Sequence, residues 1–286
     1  MKTSNWIVYA AITTVFWGVW GAFIEIPEKA GFPATLGYCA WALSMIPCSL
    51  YALRLVGWRV EVSRSAVVNG SLIGLLGAGG QLILFKALET GPAYIVFPLI
   101  SLSPVVTILF SCMFLKEKGS PRQWVGIFFS LVAIFILSYK DPTDHEALNL
   151  GWLFSSILVF FMWGAQGYYM KMANGSVSAE SIFFYMTVSG LLFIPYAMYI
   201  TDFSESINWG FSGAYSALLI QSLNAFGALM LVYAYRYGKA IVVSPVTASL
   251  APIITVVISL LIYSVAPGIL VSFGMILALV AVFLMA

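Results

Sequence analysis

The sequence predicts an all-α, polytopic membrane protein in which ten transmembrane helices form two inverted five-helix repeats. Composition is the first reason: 62% of the 286 residues are hydrophobic and only 8% are charged, whereas a soluble globular chain carries about 25% charge. Pattern is the second. Unbroken apolar stretches such as Ile7–Ile24, Ile127–Leu137 and Val271–Ala286 suit helices, since about 20 apolar residues cross the hydrocarbon; the short alternating segments of a membrane β-barrel are absent. Duplication is the third. Trp17-Gly18-x-x-Gly21 recurs as Trp163-Gly164-x-x-Gly167, and Ala87-x3-Gly91-x-Ala93-x4-Pro98 recurs as Ala234-x3-Gly238-x-Ala240-x4-Pro245, at a nearly constant offset.

The spans follow one another between charged or Gly/Pro-containing breaks. The first, 5–24, begins at Asn5 and has no small-residue cleavage site, so it reads as a retained helix and not as a signal peptide. Spans at 34–54, 67–88, 93–115 and 122–139 complete the first copy, residues 1–140. The polar segment Lys140–Leu150 contains Asp141-Pro142, Asn149 and the lone His145, and 141–150 reads as the loop between copies. Spans at 151–172, 179–200, 210–235, 240–263 and 267–286 form the second copy, 151–286, with Ser264-Val265-Ala266-Pro267-Gly268 as the uncharged turn before the last one. Cys39, Cys48 and Cys112 fall within spans, where a thiol acts as a small apolar group; neither a disulfide framework nor a metal site is expected.

Charge placement sets the orientation. A cytoplasmic N-terminus puts Lys2, Arg54, Arg59, Arg64, Lys116, Lys118, Arg122, Lys171, Arg236 and Lys239 inside and leaves Lys29, Lys86 and Lys140 outside, as the positive-inside rule requires. Five spans per copy is an odd number, so the second copy enters from the opposite face. Two inverted copies build a site near the midplane that rocking can open to either side, the architecture of a transporter.

These features together resemble the EamA family of the drug/metabolite transporter superfamily: the paired Trp-Gly motifs, and Ala87…Gly91-Pro92-Ala93…Pro98…Pro104 running into Leu115-Lys116-Glu117-Lys118. The resemblance covers essentially the whole chain. It implies two five-helix halves with cytoplasmic N- and C-termini, moving small solutes across a bacterial inner membrane. The family pattern ends its fourth helix with Gly-Glu; here Glu117 matches the acid, but Lys116 replaces the glycine and Val265 stands opposite Glu117 in the second copy.

Candidate site residues are the polar and aromatic groups that lie deep in spans. Gln81, Gln166, Gln221 and Asn224 must each find a hydrogen-bond partner in the membrane, and either a solute or another helix can supply it. Gln221 and Asn224, three residues apart, share a helix face. Trp17, Trp20 and Trp163 lie deeper than an interfacial belt, whereas Trp6, Trp58, Trp124, Trp152 and Trp209 fit one; a deep indole offers a flat apolar wall and one N–H. Pro98, Pro104, Pro245 and Pro252 are expected as hinges or kinks that free carbonyls near Tyr94, Ile100, Ile241 and Ala248. Gly18, Gly21, Gly164 and Gly167, with Gly70, Gly74 and Gly77, are expected to serve helix packing. Glu25 and Lys86 could pair or gate at the outer ends, although ordinary interfacial charges explain them as well.

The function expected is secondary transport of small metabolites, such as amino acids, amphipathic metabolites or drugs, around a midplane site. No span carries a central Asp or Glu, so a buried carboxylate proton relay is not evident. No phosphate loop implies ATP, and no cofactor, metal or catalytic group is expected; a convergent catalytic set is missing from the spans. The alternatives are a sugar uptake carrier, because indole walls and amides also suit hydroxyl-rich rings, and a non-transporting receptor or scaffold. The partners expected are a small-molecule solute, the lipid bilayer and, as an option, a second copy of the chain as a homodimer; no nucleic acid is implied.

Overall fold

A computed structural model describes residues 5–90, 96, 99–138, 151–263 and 268–285. Among the described residues the regular secondary structure is helical. In the first half these are α1 (Asn5–Phe23), the short α2 (Glu25–Lys29), α3 (Ala34–Leu55), α4 (Arg64–Thr90), α5 (Pro104–Phe114) and α6 (Pro121–Ser138). In the second half they are α7 (Gly151–Ala173), α8 (Ala179–Leu192), α9 (Ile194–Tyr199), α10 (Ser216–Tyr237), α11 (Ala240–Tyr263) and α12 (Ile269–Met285). Among the described residues, six segments are long and apolar enough to cross a membrane: Asn5–Lys29, Ala34–Leu55, Arg64–Ala87, Ala179–Tyr199, Phe211–Tyr237 and Ala240–Ile258. Leu99–Phe114, Pro121–Leu137 and Ile269–Met285 are shorter apolar helices. Phe128, Phe154, Leu192 and Phe283 are between 62% and 72% exposed on the outside of the bundle, a surface suited to lipid.

Local chemistry explains the ends and breaks. Before α6, Ser120 and Gln123 form a reciprocal capping box: the Gln123 N–H donates to Ser120 Oγ at 3.2 Å and the Ser120 N–H to Gln123 Oε1 at 3.0 Å. The expected single span over 179–200 is interrupted at Phe193 between α8 and α9. Pro195 has no N–H for the Leu191 carbonyl, so the ladder cannot continue there. The first span bends after Phe23 and runs on through α2 to Lys29, and a π-helical turn, Phe211–Tyr215, precedes α10. Trp152, expected at the lipid interface, instead packs inward with Leu84 and Ala87.

The two halves pack mainly on each other. Helix α1 lies against α10 and α11, while α7, which carries the repeated motif, lies against α4 and α5. Similarly, α4 packs on α8, α10 on α3, and α6 on α12. The motifs form these crossings reciprocally. Thr107 Oγ1 donates to the Gly164 carbonyl at 2.8 Å, and Thr255 Oγ1 donates to the Gly18 carbonyl at 2.9 Å. Both glycines are required by close approach: a Cβ on Gly164 would come within 3.0 Å of Val106 and the Ser103 carbonyl, and one on Gly18 within 3.0 Å of Ile254 and the Ala251 carbonyl.

Candidate functional site

Eight helices, four from each half, surround a cavity of about 310 Å³. The first half contributes Trp17 and Trp20 from α1, Trp41 and Met45 from α3, Gln81 from α4, and Ser103 and Pro104 at the start of α5. The second half contributes Trp163, Gln166 and Met170 from α7, Met186 from α8, Asn224 and Tyr235 from α10, and Ser244, Thr247 and Ala248 from α11. Among the described residues, α6 and α12 contribute none to the lining. The volume is that of a small-ligand site.

The indoles are held by the opposite half. Trp17 Nε1 donates to the Asn224 carbonyl at 3.2 Å, and Trp163 Nε1 donates to the Gly77 carbonyl at 3.3 Å. The Trp17 ring lies against Gly227 and the Trp163 ring against Gly80, positions where a Cβ would come within 3.0 Å of the indole. Missing side chains on the partner helix therefore make room for each ring. Trp20 Nε1 donates to Gln221 Oε1 at 3.1 Å, and Gln166 Nε2 to the Ile73 carbonyl at 3.2 Å.

Of the expected residues, the structure brings Trp17, Trp20, Gln81, Trp163, Gln166 and Asn224 to one cavity. Gln221 is buried behind its wall, with its amide oxygen occupied by Trp20, so the shared helix face does not carry it into the cavity beside Asn224. The amides of Gln81 and Asn224 make no side-chain hydrogen bond to protein among the described residues, which leaves them available to a guest.

The prolines behave differently from one another. Pro104 is the first residue of α5 and does not kink a continuing helix; the chain turns at Leu102 and Ser103, and the Ile100 carbonyl expected to be free accepts the Ser103 N–H at 3.0 Å. Pro245 and Pro252 both lie inside the continuous α11, and the Pro245 carbonyl accepts Ser130 Oγ at 2.8 Å. Pro252 lacks the N–H that would bond the Ala248 carbonyl on the lining. Pro98, Tyr94, His145 and Val265 lie outside the described residues. Glycines Gly70, Gly74 and Gly77 face Tyr185, Ser189 and Gln166 across tight helix contacts. Glu25 pairs with Lys29 at 2.7 Å within its own helix, while Lys86 is exposed.

Sequence reasoning missed Trp41, Met45, Met170 and Met186. Trp41 lies eight residues into α3, the same depth signal that singled out Trp17. The methionines gave no comparable signal, because thioethers are common core filler. No group of three His, Cys, Asp or Glu able to hold a metal ion occurs among the described residues.

At the end of the bundle bearing the α10–α11 turn, Glu117 accepts the N–H groups of Ala240 and Ile241, both at 3.1 Å. It thus caps the positive end of α11 from the first half. Lys171 Nζ donates to the Tyr235 and Gly238 carbonyls at 3.0 and 2.6 Å, which complements the negative end of α10. Lys116 adopts φ 54°, the left-handed conformation for which the resembled family's glycine is suited.

Comparison with known proteins places this arrangement. The model of the EamA-like transporter family matches residues 4–139 and again 150–286. An uncharacterized protein of Methanocaldococcus jannaschii is 28% identical over 138 residues, covering 47% of this chain and 97% of that protein. The probable 4-amino-4-deoxy-L-arabinose-phosphoundecaprenol flippase subunit ArnE of Photorhabdus laumondii is 29% identical over 86 residues, 29% of this chain and 76% of its own. Protein RarD of Streptomyces exfoliatus is 23% identical over 250 residues, 81% of this chain and 70% of its own. A solved crystal structure superposes with a TM-score of 0.80 at 14% identity, covering 99% of this chain and 98% of its own; that likeness speaks to the fold.

Proposed function

This chain belongs to the EamA-like transporter family, and from that premise we propose that it moves a small solute through the Trp17/Trp163 cavity by alternating access. The observation that carries the reading is the cavity's construction: matching helices from both halves line it, and reciprocal Thr–Gly bonds join those halves around it. A site between two similar halves can open to one side or the other as they rock. The multi-pass chain is read as ten crossings in two inverted repeats, 1–140 and 151–286, joined by 141–150. The match of nearly the whole Methanocaldococcus protein to 47% of this chain supports treating the repeats as separable units. Basic residues gathered at one end support cytoplasmic termini, and the family supports a bacterial inner membrane.

The substrates proposed are amino acids, amphipathic metabolites or drugs. The flippase name of the Photorhabdus relative supports translocation as the activity. Free amides at Gln81 and Asn224 beside indole walls favour a second reading, sugar uptake. Trp17, Trp20, Gln81, Trp163, Gln166 and Asn224 are proposed to contact solute, Gln221 to hold Trp20 in place, and Pro98, Pro104, Pro245 and Pro252 to permit helix movement.

Reconstituted protein tests this directly. Counterflow of a candidate solute chosen by comparing metabolites in cells with and without the protein is expected in liposomes. Asn224→Leu should reduce it roughly tenfold, the effect of losing about 1–2 kcal/mol of hydrogen bonding to solute, with unchanged thermal stability. Absence of counterflow across amino acids, sugars, nucleosides and amphipathic drugs would count decisively against transport.

A further inference from the structure

Resting on the transporter reading, we infer that the cavity selects solutes with a flat ring and no ionic charge, which among the proposed substrates favours amphipathic metabolites and drugs over amino acids, whose carboxylate it excludes. Among the described residues, none that lines the cavity carries a formal charge. Lys171 follows the lining residue Met170 in sequence, yet its Nζ is committed to the Tyr235 and Gly238 carbonyls. A guest anion or cation would therefore lose its water and gain no counter-charge.

The walls dictate the rest of the preference. Of the four lining indoles, Trp41 has a buried Nε1 with no partner among the described residues. Trp17, Trp20 and Trp163 each give their N–H to a protein oxygen at 3.1 to 3.3 Å, so these three indoles keep only ring surface for the guest. Such surface suits stacking, and its negative face repels carboxylates. The start of α5 gives an anion no help: Pro104 has no N–H, and the N–H groups of Val105 and Val106 turn back to Leu102 and Ser103 at 2.9 and 3.0 Å. The amides of Gln81 and Asn224, unpartnered among the described residues, then read a neutral guest's own amide or hydroxyl, offering both a donor and an acceptor.

Three indole derivatives that share a ring and differ in charge test this: indole-3-acetamide, indole-3-acetate and tryptamine. Each is titrated calorimetrically at neutral pH into the full-length protein in nanodiscs. The amide is expected to bind at least tenfold more tightly than either ion, and Gln81→Leu to weaken it about fivefold without altering the binding order of the two ions. Acetate binding within threefold of the amide, tryptamine binding tightest, or no binding by any of the three overturns the inference. Counterflow of any solute by the same protein reconstituted into liposomes would still uphold transport in that event, so the two failures are distinguishable.

Discussion

Replacing Gly164 with alanine probes the crossing of α7 and α5 at its tightest point. The added Cβ would stand 2.6 Å from the Ser103 carbonyl oxygen and within 3.0 Å of Val106, and a backbone oxygen cannot swing aside as the end of a long side chain can. The helices must part, and overpacking of this kind costs about 1–3 kcal/mol. Parting also stretches the 2.8 Å bond from Thr107 to the Gly164 carbonyl, a contact worth about 0.6–1.7 kcal/mol between membrane helices. Gly164→Ala should thus lose about 2–5 kcal/mol. Thr107→Val, which removes only the bond, should lose about 0.6–1.7 kcal/mol. Gly268→Ala, where a Cβ meets nothing within 4 Å, should stay within about 0.5 kcal/mol of the parent. Denaturant titration of the purified protein in micelles measures all three. A Gly164→Ala protein as stable as Gly268→Ala would refute the close-crossing argument.

Lys116→Gly should raise stability by about 0.5–1 kcal/mol in the same titration, because φ 54° strains an L side chain and not glycine; a loss would show that the lysine side chain matters more than its backbone. Glu117→Ala should cost about 1–2 kcal/mol by uncapping α11 and should accelerate hydrogen exchange at Ala240 and Ile241, whereas unchanged exchange would remove the capping role. Hydrogen bonds from the Ser204 hydroxyl and N–H hold the Asp202 carboxyl below the usual carboxylate range. A depressed pKa favours the folded state above the ordinary value, and that contribution is lost as pH falls through the lowered one. Ser204→Ala should accordingly move the Asp202 midpoint upward in an NMR titration, and a static midpoint would contradict this.

Apolar runs and repeated glycines made the helices legible, because lipid demands continuous backbone bonding and close crossings demand small residues. Depth in a span was enough to gather Trp17, Trp163, Gln81 and Asn224. It failed for Gln221, since a periodicity of three or four fixes a helix face but not whether a neighbour such as Trp20 reaches it first. The break at Phe193 was hidden because Pro195 lies in an uninterrupted apolar run and apolarity carries no record of a missing N–H. Pro104 and Pro252 occupy matching places in the repeats, yet one begins a helix and the other lies inside one. Local sequence alone does not separate those outcomes.

The reciprocal threonine bonds carry a consequence for how such a chain can change over generations. Thr107 answers to Gly164 and Thr255 to Gly18, so each half keeps its fit through residues encoded in the other. Neither copy can drift alone at these positions, and exchanging one half for a distant relative's would break two matched pairs at once. Gln81 and Asn224, whose amides bond to no protein group among the described residues, are under no such mutual obligation, and novelty can accumulate there while the frame stays locked.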